Sequence, residues 1–261
     1  MRLSTINFIR AGVILLFTLT LLGCQHSVQE AAPQEQDNWY RGNLHTHSLW
    51  SDGDEYPEVI AQWYKEHGYD FLALSDHNIL SKGEKWINVR ESSGGVEAFR
   101  SYREQFGNEW VETREDSSGL SVRLKTLGEF RGRFEEPGEF LMIQSEEISD
   151  SYDGKPVHLN ATNIQQLVKP QGGTSVREVM QNNIDAVLEQ RRETGEPMFP
   201  HVNHPNFHYA VTPADLIPLE GERFFEVYNG HPAVRNEGGD GYPGTERIWD
   251  IVLTKRLERD L

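Results

Sequence analysis

Apolar residues gather along this chain in short runs that stop abruptly at polar ones. Phe71-Leu72-Ala73-Leu74 runs into Ser75-Asp76-His77-Asn78, and Phe140-Leu141-Met142-Ile143-Gln144 into Ser145-Glu146-Glu147. A short apolar run closed by polar groups marks a buried strand that delivers side chains at its end. Residues 157–163, carrying His158, residues 39–44, and residues 223–232, carrying Glu226, Asn229 and His231, are predicted strands on the same grounds. Helical spacing alternates with these runs. Residues 56–67 place Val59, Ile60, Trp63 and Tyr64 on one side, with Pro57 in the first turn and Gly68 to stop them. The clearest helix begins at Ser175, whose spacing to Glu178 predicts a capping box. It continues through Val176, Val179, Met180, Ile184, Val187 and Leu188 to Arg191, Arg192 and Gly195. An amphipathic helix is predicted over 246–257. Strand, helix, strand, with polar residues at the strand ends, predicts an α/β barrel with its functional face at the C-terminal ends of the strands.

Residues 81–138 break this rhythm and read as an insertion beside the barrel mouth, with a helix over 96–106, helix or irregular structure over 110–115, and loose alternation over 121–134. Arg123, Lys125, Arg131 and Arg133 form a basic cluster there. A solvated face paired to neighbouring acids is the first reading of it, and a clamp for an anionic substrate the second. At the start of the chain, Arg2 and Arg10 precede an apolar run over 11–22 that is short for a membrane span and suits the core of a signal segment. Leu21-Leu22-Gly23-Cys24 resembles the lipobox of bacterial lipoproteins, which implies cleavage before Cys24 and acylation of that residue. The expected organisation is a signal segment over 1–23, a polar linker over 24–38, and a hydrolase domain over 39–261. The expected location is outside the cytoplasm, lipid-anchored to a bacterial membrane, the outer one if the cell has two. Cys24 is the single cysteine, so no internal disulfide is available. With 25 basic against 41 acidic residues the net charge is −16, which repels polyanions and excludes bulk nucleic-acid binding. A small phosphate ester is not excluded, because bound cations invert the local field.

The candidate chemistry begins at His45-Thr46-His47, where residues two apart on a strand aim both imidazoles at one point. The Ser51-Asp52-Gly53 turn can bring Asp52 back toward them. Imidazole and carboxylate together suit zinc, manganese or iron. Asp76 stands beside His77 as a catalytic candidate that orients an imidazole or a water. His201, His204 and His208 fall within eight residues, and Glu226, Asn229 and His231 are candidates for substrate contact.

His45-x-His47, Asp52-Gly53 and, about 25 residues later, Asp76-His77 resemble the PHP (polymerase and histidinol phosphatase) family of metal-dependent phosphoesterases. Glu147, His158 and His204 before Pro205 continue that pattern in order. The resemblance covers about 39–231. It implies a distorted (β/α) barrel of the PHP type and up to three divalent metal ions. His45, His47 and Glu147 would hold one, Glu147 with His158 and His204 a second, and Asp52 with His77 a third. It further implies hydrolysis of a small phosphate ester by a metal-activated hydroxide. A catalytically weak metal-binding lipoprotein of the same fold, and a hydrolase of another bond, are the alternatives. The family pattern closes with an Asp-x-His that this chain lacks. The expectation is therefore a truncated form missing its last strand, against a minimal site in which Glu226 substitutes.

Overall fold

The computed structural model describes residues 39–239 and 241–259. The expected signal segment, linker and acylated Cys24 lie outside the described residues. No helix among the described residues is long and apolar enough to cross a membrane.

The structure is a mixed α/β fold on a curled five-stranded sheet, ordered β1 (Gly42–Asn43), β2 (Phe71–Leu74), β6 (Leu141–Tyr152), β7 (Lys155–Thr162) and β8 (Phe199–Val202). β1, β2 and β6 pair in parallel, whereas β7 is antiparallel to both β6 and β8. Four strands thus run one way and β7 the other. This departs from the all-parallel strand–helix alternation of a (β/α) barrel, and the described strands do not close into one.

The departure has a local cause. The apolar run over 140–144 predicts a strand that closes at the polar residues after it, but β6 continues to Tyr152. Only Asp153-Gly154 turns the chain, both with positive φ (49° and 73°), and Tyr152 pairs with Lys155. Asp-Gly in a two-residue loop is the arrangement whose twist matches the flanking strands. Glu147 therefore sits in mid-strand, where β6 leaves β2 and takes up β7. Successive strand side chains face opposite ways. Glu147 faces the candidate site and Glu146 the opposite side, where its Oε1 accepts from the Val168 N–H at 2.6 Å.

Glu146 is fully buried and its Oε2 has no hydrogen-bond partner. Burial pushes its carboxyl up to about 8 from 4.5, against the Val168 hydrogen bond. The folded state thus holds the proton more tightly than the unfolded chain. Its contribution to stability is full below about 4.5 and is lost as pH rises through about 8. Glu146→Gln should remove that slope and raise stability at pH 9 by on the order of 3 kcal/mol. Urea unfolding of both proteins from pH 5 to 9 tests this, and parallel pH profiles would refute it.

α4 (Val176–Thr194) packs on β6, β7 and β8. Met180 and Ile184 join Val157, Leu159 and Val202 in the main core, which α6 (Thr245–Leu257) completes with Ile248 and Val252. The capping box at Ser175 is half formed. Ser175 Oγ accepts from the Glu178 N–H at 3.1 Å, but the Glu178 carboxylate reaches back to the Thr174 N–H at 2.7 Å rather than to Ser175. Gly195 closes the helix in the left-handed conformation.

The insertion is an antiparallel sheet, ordered β3 (Lys85–Asn88), β5 (Gly119–Leu124), β4 (Thr113–Asp116), with α2 (Gly95–Phe106) and α3 (Leu127–Phe134). It shares a core with α1 (Pro57–Glu66) and the loop before that helix. Trp50 and Tyr56 are buried against Phe99, Tyr102, Val122 and Leu124, and Tyr56 stacks on Tyr102 at 4.0 Å. The loop carrying His47 and Asp52 is thereby anchored in the insertion. The basic cluster is spent on structure: Arg123 grips Glu112 and Glu129 at 2.7 and 2.6 Å, Lys125 pairs with Glu112, Arg131 donates to the Met142 carbonyl, and Arg133 lies over Trp110.

The strand expected over 223–232 is reduced to a single parallel bridge between Val202 and Phe225. Asn229, Gly230 and Pro232 follow too closely for a ladder to continue. The strand expected over 39–44 is reduced to Gly42–Asn43. A Cβ at Gly42 would lie 2.1 Å from the Phe71 ring, so any side chain there would displace that ring.

Candidate metal centre

Five imidazoles surround the buried carboxylate of Glu147. Its Oε1 lies 3.3 Å from His45 Nε2, 3.2 Å from His158 Nδ1 and 3.2 Å from His204 Nε2. Its Oε2 lies 3.0 Å from His47 Nε2 and 2.8 Å from His77 Nδ1. His45 and His47 face each other through their Nε2 atoms at 3.2 Å. Asp52 closes the outer side, 2.9 Å from His47 Nδ1 and 3.4 Å from His77 Nε2. The residues expected in the centre thus come together from β1 and its loop, the end of β2, β6, β7 and the end of β8.

Their separations fit a metal site. Nitrogen and oxygen ligands about 2.0–2.2 Å from a shared ion stand about 3 Å from one another. Glu147 Oε2 is buried and has no well-directed hydrogen bond, and several lone pairs converge where donors are too few to satisfy them. Four groups of three have ligand atoms within 4.8 Å of one another: His45, His47 and Glu147; His77, Glu147 and His158; His47, Asp52 and His77; His45, His204 and Glu226. Two of these contain groupings that the resemblance implies, His45 with His47 and Glu147, and Asp52 with His77, while His158 also stands beside His77 and His204 beside Glu226.

The carboxylates and imidazoles shift one another. Burial opposes the charge on Glu147, yet hydrogen bonds from His158, His204, His45 and His47 hold it well below the usual carboxylate range. Burial likewise disfavours charged His45, but its bonds to Glu147 and Glu226 prevail and raise it to about 10. A metal ion entering the centre has to displace that proton. His201, fully buried, is pushed down to about 4 and does not line the cavity.

Neighbouring residues hold the ligands in place. Glu226, expected to touch substrate, does not line the cavity. Its Oε1 lies 3.1 Å from His45 Nδ1, its Oε2 accepts from the His204 N–H, and both oxygens accept from Asn229 Nδ2 at 3.0 Å. A carboxylate on Nδ1 fixes the ring and leaves Nε2 free to ligate. Asp76, expected to orient an imidazole or a water, hydrogen-bonds no imidazole among the described residues. It accepts from Ser48 N–H and Oγ–H at 2.8 Å and from Ser51 Oγ–H at 2.7 Å, and so shapes the loop that carries His47 and Asp52. Asn203 and Asn160 escaped the sequence reading. Asn203 Nδ2 donates to Glu147 Oε1 at 2.7 Å and to Asn160 Oδ1 at 2.9 Å, and Asn160 Nδ2 donates to the Leu44 carbonyl just before His45. The one signal was an asparagine at an apolar strand end beside His204.

Gly53 is set by the same loop. A Cβ there would meet the His47 carbonyl and the Ser48 nitrogen at 2.6 Å, backbone that cannot yield cheaply. Gly53→Ala should destabilise the protein by about 1–3 kcal/mol and weaken metal binding together. Thermal unfolding with metal analysis checks this, and normal values for both would refute it.

The centre opens into a cavity of about 490 Å³, which Phe207, Val234, Asn229 and His231 also line. His231 Nδ1 accepts from the Ala233 N–H at 3.1 Å, so the ring proton sits on Nε2. No lysine or arginine lines this cavity among the described residues.

No family model and no curated protein matches the chain. Among solved structures, it is similar to a two-domain protein of Bacteroides vulgatus containing a predicted PHP-like metal-dependent phosphoesterase. The identity is 19% and the TM-score 0.35, covering 66% of this chain and 36% of that one, so the chain spans about a third of that protein's length. It is also similar to a protein of Bifidobacterium adolescentis provisionally assigned as a metal-dependent phosphoesterase, at 12% identity and TM-score 0.37, covering 85% of each chain. Likeness at this level carries no argument about activity, and the chemistry of the centre rests on its own side chains.

Proposed function

We propose that the protein is a metal-dependent phosphoesterase acting on a small phosphate ester, exported and tethered to a bacterial membrane through Cys24. The observation that carries the enzymatic reading is the set of five imidazoles and Asp52 around buried Glu147, opening on a cavity that lacks lysine and arginine. An anionic ester bound there meets no lysine or arginine, and divalent ions held by the imidazoles and carboxylates would supply the positive charge. The order of the motifs along the chain supports the same reading.

His45, His47, Asp52, His77, Glu147, His158 and His204 would hold up to three divalent ions, zinc, manganese or iron. Such ions, when bound, bind phosphate oxygens and make water a stronger nucleophile near neutral pH. The chain's own residues prepare the site. Glu147 offers an oxygen to each side of the cluster. Glu226 and Asp52 hold the Nδ1 atoms of His45 and His47, which aims both Nε2 atoms inward. His231 presents Nε2–H to an oxygen of the ester, positioned by the Asn229 Oδ1 that accepts from its backbone N–H. Phe207 and Val234 keep that side of the cavity apolar.

The test is phosphate release from para-nitrophenyl phosphate by protein without residues 1–23, supplied with manganese or zinc. Turnover should be abolished by chelator and by His45→Ala. Tight metal binding with no phosphate release, or release only from carboxylic ester and amide substrates, would overturn the reading.

A further inference from the structure

We infer that a second cavity beside the centre receives the alcohol portion of the ester and is built for a neutral polyhydroxyl group, which makes the substrate class a sugar or polyol phosphate; this rests on the phosphoesterase reading. The second cavity, about 340 Å³, lies within the roughly 300–1,000 Å³ range of small-ligand sites. It meets the metal-site cavity at Asp52, which lines both. A phosphate held at the centre could therefore extend its ester group past Asp52 into this open cleft. The outer walls come from β3 and the turn after it, so the insertion builds this space.

The lining identifies the ligand. Leu49 and Ile87 provide an apolar floor. Lys85 Nζ spends one N–H on the Trp50 carbonyl and keeps two. Asn88 spends one amide N–H on the Ser118 carbonyl and keeps the other. The Glu91 carboxylate makes no hydrogen bond among the described residues, and Ser93, whose hydroxyl donates to the Gly53 carbonyl, keeps acceptor capacity. Free donors and free acceptors thus alternate over a small apolar base.

A second anionic group would pair with Lys85 but meet Glu91 and Asp52, and an ammonium group would pair with those carboxylates but meet Lys85, so either leaves a like charge opposed. An aromatic group would bury the polar atoms unpaired, at a cost for each. Hydroxyl groups both donate and accept, so a polyol satisfies Lys85, Asn88 and Glu91 at once, while its C–H faces rest on Leu49 and Ile87.

The experiment is equilibrium binding of non-hydrolysable phosphonates to the manganese-loaded full chain in detergent. The probes are a hexose 6-phosphonate, in which methylene replaces the ester oxygen, methylphosphonate, and an aminoalkyl phosphonate. The hexose analogue should bind at least about tenfold tighter than methylphosphonate. Glu91→Ala and Lys85→Met should each bring that advantage to within about twofold; Glu91 is exposed, so its removal leaves the core intact. Equal binding of hexose and methyl phosphonates, an advantage untouched by both substitutions, or tighter binding of the aminoalkyl compound would overturn the subsite. If the protein holds metal and no phosphonate binds, the phosphoesterase reading fails as well. If methylphosphonate binds and the hexose adds nothing, only the subsite fails.

Discussion

Replacing Glu147 with glutamine is expected to lower metal affinity at least about a hundredfold while the sheet stays intact. Loss of a group that only orients a ligand costs about 10- to 100-fold, and Glu147 stands among the ligand atoms themselves. Its two oxygens lie between 2.8 and 3.3 Å from five imidazole nitrogens, and it belongs to two of the four candidate groups. Glutamine keeps the shape and can still accept from Asn203, but it carries no charge and turns an NH₂ toward nitrogens that need to ligate. Competition with a metal-sensitive chelator measures the affinity, and circular dichroism the fold. Affinity within about threefold of the unaltered protein would remove Glu147 from the centre.

Asp76→Ala should destabilise the protein by roughly 3 kcal/mol and reduce metal content, although Asp76 touches no imidazole. Its side chain is almost fully buried and holds Ser48 and Ser51 through three hydrogen bonds. Burial raises its carboxyl, against those bonds from Ser51 and Ser48. Alanine leaves the Ser48 N–H without a partner inside the protein and loosens the turn that carries His47 and Asp52. Asp76→Asn, which can still accept from that N–H while the two hydroxyls turn, should cost much less. Chemical unfolding of the metal-free proteins separates the two variants. Equal stability of Asp76→Ala and the unaltered protein would show that the loop is held elsewhere, through Trp50 and the insertion.

The residues of the candidate centre were legible in the chain because imidazoles and carboxylates in this pattern are the types a metal ion would take. His45-x-His47, Asp76-His77 and His204-Pro205 stand at strand ends, where an apolar run hands over to groups that serve no core. The choice of Glu147 over Glu146 follows from strand geometry once β6 is known to continue. Two-residue alternation turns one glutamate to the centre and buries the other behind it. The sequence also carried the hairpin signal at Asp153-Gly154, but a run of polar residues over 149–153 hid the strand leading to it.

Local pattern determined the helices, because α1, α4 and α6 each need an apolar stripe and a stop that neighbouring residues supply. It determined the candidate ligand types as well, since imidazoles and carboxylates stand out where an apolar run ends. Tertiary structure alone decided how these parts meet. The reversal of β7 depends on pairing with both β6 and β8. The reduction of 223–232 to one bridge depends on what lies beside Val202. The roles of Glu226, Asn203 and Asp76 depend on distant partners, 22 and 181 residues away for Glu226 besides the neighbouring Asn229, and 25 to 56 residues away for the other two. A side chain's type shows what it can bind, whereas its partner is set by which distant backbone the fold brings within 3 Å of it.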